Sequence, residues 1–125
     1  DTSFDFDDVS KDFGKKTAQI ISDVTKETRL PKIQQERNYL KQLSDSSWQS
    51  KVVKLADILA NISDLKNSGF SKKEKIDHVK QKRKYLDAIH FGIILNKSKI
   101  PNLIQTVHIL NSVLESYGQR KIKMI

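Results

Sequence analysis

Residues 51–65 read KVVKLADILANISDL. Apolar and small side chains dominate, yet Asp57, Asn61 and Asp64 interrupt them at spacings of four and three. At 100° per residue, with Asp57 at zero, Asn61 falls at about 40°, Asp64 at about −20° and Lys54 at about 60°. Leu55, Ile58, Leu59, Ile62 and Leu65, with Val52, Ala56 and Ala60, fill most of the remaining circle. This pattern predicts a central helix, apolar nearly all round and packed on several sides. Its narrow polar stripe either faces solvent and nearby loops or lines a cleft. A carboxylate in a buried stripe is costly unless it is paired, hydrogen-bonded or metal-bound.

Working outward, helix signals recur and strand signals do not. Asp5 can cap a short helix over 6–13 that ends at Gly14. A second helix runs from Lys15 to Thr25, with Ala18, Ile21 and Val24 on one face. Pro31 in a first turn opens a helix that reaches Leu43. Ser46 or Ser47 caps the central helix, predicted over Trp48–Asn67 and stopped at Gly69. Ser71 and Glu74 have capping-box spacing before a helix from Lys72 to about Leu95. Pro101 opens the last helix, which ends near Tyr117 and Gly118. No stretch alternates with period two for long enough to argue a strand. The expected fold is all-α: one compact domain over 1–125 with about six helices.

Composition narrows the class. The chain has 125 residues, 37% apolar and 30% charged, and no cysteine. One core of ordinary size fits that length. Disulfides and thiolate metal sites are excluded, which fits a reducing compartment and a cytoplasmic location. No apolar run could span a bilayer, and the opening DTSFDFDD has no signal-peptide pattern. The net charge of +8 is uneven: ten Lys/Arg against eleven Asp/Glu in residues 1–65, thirteen against four in residues 66–125. A half-chain of +9 is read first as a lysine-rich solvated surface and second as an anion-binding face. KQKRKY (80–85) interleaves base and aromatic in a way that suits RNA; no DNA or membrane partner is expected. His78, His90 and His108 lack the spacing of a zinc motif, and no glycine-rich phosphate loop occurs. Trp48, Phe70 and Phe91 read as helix-packing residues.

KLADILAN (54–61) resembles the second signature of the RelA/SpoT-type hydrolase domain, Lys-Leu-Ala-Asp-x-x-x-Asn, in the His-Asp (HD) metal phosphohydrolase superfamily. DT at 1–2, DDVSKDFG at 7–14 and IISDVTKETRLPK at 20–32 follow in the same order as in that family. LPK at 30–32 is similar to the short, stand-alone alarmone hydrolases of the metazoan SpoT homologue type. The likeness is close from residue 1 to about 66 and looser beyond, at RKYLDAI (83–89) and the last helix. The resemblance implies an HD-like fold and hydrolysis of the 3′-pyrophosphate of guanosine tetra- or pentaphosphate with Mn²⁺. It implies that Asp57 is a metal ligand, that Asn61 lies beside the nucleotide, and that Asp1 helps set up the attacking water. Lys32 then meets a phosphate and Tyr85 contacts the nucleotide. The family's other metal ligands and its Glu would precede Asp1, making 1–125 the C-terminal two-thirds of such a domain. Ile58 and Ser63 stand where the family carries basic residues. These departures keep a second reading open, a catalytically degenerate binding or regulatory module; a small basic RNA-binding protein is the third.

Overall fold

A computed structural model describes residues 14–123. Among them lie five helices and no strand: α1 (Lys15–Val24), α2 (Lys32–Asp45), α3 (Trp48–Ser63), α4 (Lys72–Leu95) and α5 (Leu103–Ser116). Single 3₁₀ turns, Leu65–Asn67 and Lys97–Lys99, follow α3 and α4. The domain is all-helical, as expected. The short helix predicted over 6–13 lies outside the described residues.

The local caps explain where the helices begin. Ser47 Oγ accepts from the Ser50 N–H at 3.1 Å and starts α3. Ser71 and Glu74 close a reciprocal capping box, 3.1 Å and 2.9 Å, at the start of α4, which satisfies two otherwise orphaned donors. Pro31 sits one position earlier than predicted, as the residue before α2. Pro101 likewise lies in a turn, and α5 starts after Asn102, whose φ of 57° is left-handed. Asn tolerates that region better than most residues. At the other end of α5, Gly118 has φ 77°. Its N–H donates to Glu115 O at 3.0 Å and that of Gln119 to Leu114 O at 2.9 Å, the paired bonds of a Schellman stop.

The central helix is shorter than the sequence suggested. It ends at Ser63, and Asp64 turns the chain into the 3₁₀ segment. The tighter turn keeps Leu65 buried while leading the chain away. The helix packs against α4, α1 and α5 and contributes Leu55, Ile58 and Ile62 to the core; Leu59 is half-buried against it. It is not enclosed all round, however. Val53, Ala56 and Ala60 are exposed beside Asp57, Asn61 and Asp64, so one side of α3 is an open face. Alanine is small enough to leave such a face without exposing much apolar area.

Two further features shape the domain. Gly92 of α4 meets the buried side chain of Lys51: a β-carbon at Gly92 would lie 2.5 Å from Lys51 Cδ. Residues 119–123 return as an extended strap. Asn111 Nδ2 donates to Ile122 O at 3.1 Å, and the Ile122 N–H donates to Asn111 Oδ1 at 2.7 Å. Arg83 of α4 donates to Arg120 O at 3.0 Å, and the His90 ring meets the Lys123 carbonyl.

Candidate functional site

The open face of α3 brings together two of the residues singled out from sequence. Asn61 Nδ2 donates to Asp57 Oδ1 at 3.3 Å, as one helical turn allows. The other carboxylate oxygen of Asp57 accepts from Lys54 Nζ at 3.0 Å. The exposures differ sharply: the Lys54 side chain is 7% exposed and that of Asp57 50%. The lysine stem is therefore packed inside while its head holds a carboxylate that opens outward.

A cleft of about 310 Å³ adjoins this face, lined by Asn61, Asp64, Ser68, Phe70, His78 and Lys82, with Ile62 and Leu65 at its base. Phe70 and His78 stack there with ring centroids 4.7 Å apart and planes 21° apart. Phe70 does not pack into the core as expected: it is 42% exposed and stacks on His78 at the rim of the cleft. Nor does Phe91: it is 71% exposed on α4, whose buried positions nearby are Ile89 and Ile93.

Behind the face lies a polar cluster that the sequence did not disclose. Glu36 of α2 accepts from the Tyr85 hydroxyl at 2.8 and 3.0 Å through its two oxygens, from Gln81 at 3.0 Å, and from Lys26. Burial works against its charge, but the bonds from Lys26, Tyr85 and Gln81 together hold the carboxyl below the usual range. Tyr85 is 1% exposed. Burial first, and then the neighbouring Glu36 carboxylate, push its phenol well up. Tyr39 crosses Tyr85 edge-to-face at 5.1 Å and gives its own hydroxyl to Val24 O.

The other residues from the sequence reading lie apart. Lys32 is exposed at the start of α2 and makes no hydrogen bond or ion pair among the described residues. Tyr85 is near the face, but its hydroxyl is committed to Glu36. Asp1 lies outside the described residues. Among the described residues, no three His, Cys, Asp or Glu side chains gather as ligands, and Asp57 already carries an ammonium. Alone, these residues do not fit a metal shell, which needs several preorganised donors.

Comparison with known proteins places half of the chain. Over 65 residues, 52% of its length, it is 40% identical to the guanosine-3′,5′-bis(diphosphate) 3′-pyrophosphohydrolase MESH1 of Danio rerio. The MESH1 proteins of Homo sapiens and Drosophila melanogaster are 38% and 37% identical over 65 residues. Each match takes in 36% of the relative, so the chain matches little more than a third of the length of these curated relatives. Half of the chain is therefore homologous to MESH1, and the all-helical domain agrees with an HD-like fold. No family model matches the chain, and no solved structure does. No helix among the described residues is long and apolar enough to cross a membrane.

Proposed function

We propose that this chain forms part of the catalytic domain of a metal-dependent guanosine-3′,5′-bis(diphosphate) 3′-pyrophosphohydrolase. The observation that carries the reading is the meeting of Asp57 and Asn61, 3.3 Å apart on one open face beside a cleft, within a stretch that resembles the second signature of such enzymes. On this reading Asp57 supplies one ligand to a metal, expected to be Mn²⁺, and the remaining ligands come from outside the described residues. Asn61 hydrogen-bonds the nucleotide, and the cleft beside it receives guanosine tetra- or pentaphosphate. Asp1 and Lys32 keep the roles implied by the resemblance. Tyr85, buried and with its hydroxyl held by Glu36, supports Lys54 from behind the site in place of the direct nucleotide contact that the resemblance implies.

The test uses the full-length protein, with metal content measured beside steady-state kinetics on guanosine tetraphosphate. Asp57→Asn keeps the side chain's shape but removes its charge, and should lose both metal and hydrolysis. Asn61→Ala should keep its metal. Its kcat/KM should fall roughly ten- to a hundredfold, about 1.4–2.7 kcal/mol of transition-state stabilisation. An Asp57→Asn protein that retains metal and full turnover would sink the reading. A second reading, a nucleotide-binding module without catalysis, is favoured by Ile58, which is 0% exposed where the resemblance places a basic residue. It takes over if the parent protein binds the nucleotide and leaves it intact.

A further inference from the structure

Three lysine ammonium groups converge on one pair of tyrosine rings. Lys54 Nζ lies 5.0 Å from the centroids of both Tyr39 and Tyr85. Lys26 Nζ lies 5.4 and 5.3 Å from the same two, and Lys82 Nζ 5.3 Å from Tyr85. Ring faces attract cations, but gathering like charges in a partly desolvated place is unfavourable. Burial first, and then the Lys54 charge, push the Lys82 ammonium below the ordinary lysine range. Two carboxylates answer the three ammoniums: Glu36 pairs with Lys26 and Asp57 with Lys54. Among the described residues no carboxylate is within ion-pair reach of Lys82. The arrangement therefore carries an excess positive charge, and Lys82 lines the same cleft as Asn61.

We infer that Lys26, Lys54 and Lys82 form a cradle for a diphosphate group, and that Glu36 is the residue that positions it. A diphosphate spreads its negative charge over oxygens on two phosphorus centres. Three ammoniums, each with three donors, can meet it from several sides. Lys54 can turn from Asp57 to a phosphate oxygen because its stem is packed while its head stands at the open face. Glu36 does not touch the ligand. It ties Lys26, in the connection between α1 and α2, to Tyr85 and Gln81 of α4, and so fixes both the ring platform and one of the three ammoniums. The identity of the natural ligand rests on the hydrolase reading; the cradle itself does not.

The sign of one mutation separates positioning from simple attraction. Glu36→Gln removes a negative charge beside the cradle, so attraction alone predicts tighter binding. Positioning predicts weaker binding, because Lys26 and Tyr85 lose their anchor. Inorganic pyrophosphate, with a chelator present and no metal, is titrated calorimetrically into full-length parent protein and variants. We expect Glu36→Gln and Lys82→Met each to weaken binding about tenfold, the scale of a lost charge-assisted contact. Lys82→Arg should keep most of the affinity, Glu36→Asp should restore part of it, and Lys97→Met, which touches none of these groups, should change it less than about twofold. The cradle is overturned if the parent does not bind pyrophosphate, if Lys82→Met behaves like Lys97→Met, or if Glu36→Gln binds more tightly. Turnover is read separately. A parent that hydrolyses nothing but loses pyrophosphate with Lys82→Met keeps the cradle and loses the hydrolase reading. A hydrolase indifferent to Lys82→Met does the reverse.

Discussion

Lys54 holds Asp57 from beneath: its ammonium is 3.0 Å from Oδ2, with the lysine side chain 7% exposed and the aspartate 50%. The two ends of this bond therefore differ in what their loss costs. Asp57→Asn leaves a nearly buried ammonium without its carboxylate, though water reaches the site and the ring faces remain. We expect a loss of about 0.5–1 kcal/mol in urea unfolding. Lys54→Met keeps the packed stem and removes the charge, and should cost less than Asp57→Asn or nothing. A Lys54→Met protein clearly less stable than Asp57→Asn would mean that the ammonium, not the stem, is what the fold requires.

The Glu36 carboxyl gives a pH signature. Its folded pKa lies below the unfolded value of about 4.3. The stability it contributes is thus present above about pH 4.3 and lost as pH falls through the folded value. Glu36→Gln has no such group, so its stability should decline less steeply than the parent's from pH 5 downward. Parallel urea midpoints across that range decide it; superimposable acid limbs would show that Glu36 is not held in its charged form.

Tyr85 and Tyr39 should separate by their partners. The Tyr85 hydroxyl serves a carboxylate, that of Tyr39 a backbone carbonyl. Tyr85→Phe should therefore cost about 1.5–3 kcal/mol and Tyr39→Phe about 0.5–1.5 kcal/mol. Both phenols are raised, chiefly by burial. The neutral rings stabilise the fold below about pH 10, and that contribution is lost as pH rises through their folded values. Ultraviolet titration should show these two tyrosines ionising only as the protein unfolds.

The contact between Gly92 and Lys51 predicts a sign reversal. Alanine in a helix is favoured over glycine by about 1 kcal/mol, yet its methyl would meet Lys51 Cδ at 2.5 Å and Cε at 2.7 Å. Lys51 is 5% exposed and its ammonium is bound to Ser46 O, so it cannot swing aside freely. Gly92→Ala should be destabilising by about 1–2 kcal/mol in the parent and stabilising in a Lys51→Ala background. A double-mutant cycle measures the difference; additive effects would show that the lysine yields without cost.

What could be read from the sequence follows the range of the interactions. The caps at Ser47 and at Ser71 with Glu74 depend on residues three positions away, and those helix starts were legible. Asp57 and Asn61 share a face by helical geometry alone. The break at Ser63 was missed because Leu65 continues the apolar period through the 3₁₀ turn. Ala56 and Ala60 were read as enclosed because a helical wheel gives direction but not what stands opposite. Glu36 was missed for a similar reason. Its partners lie 10, 45 and 49 positions away, and no local pattern marks a carboxylate whose donors arrive from another helix. Lys54 was visible at the edge of the stripe, but its burial depends on Tyr39 and Tyr85 arriving from α2 and α4.

The strap at 119–123 bears on how the domain comes apart. Asn111 both donates to and accepts from Ile122, while Arg83 and His90 hold the flanking carbonyls. α5 is thereby laced to α4 through a stretch of chain rather than by side-chain packing alone. Such lacing makes opening cooperative: the strap cannot lift while Asn111 stays in place, and α5 cannot leave without releasing Ile122 from the core. Amide hydrogens of α5 and of Ile122 should accordingly exchange as one subglobal unit. Asn111→Ala would split that unit, letting the terminal amides exchange quickly while those of α3 keep the protection of the whole domain.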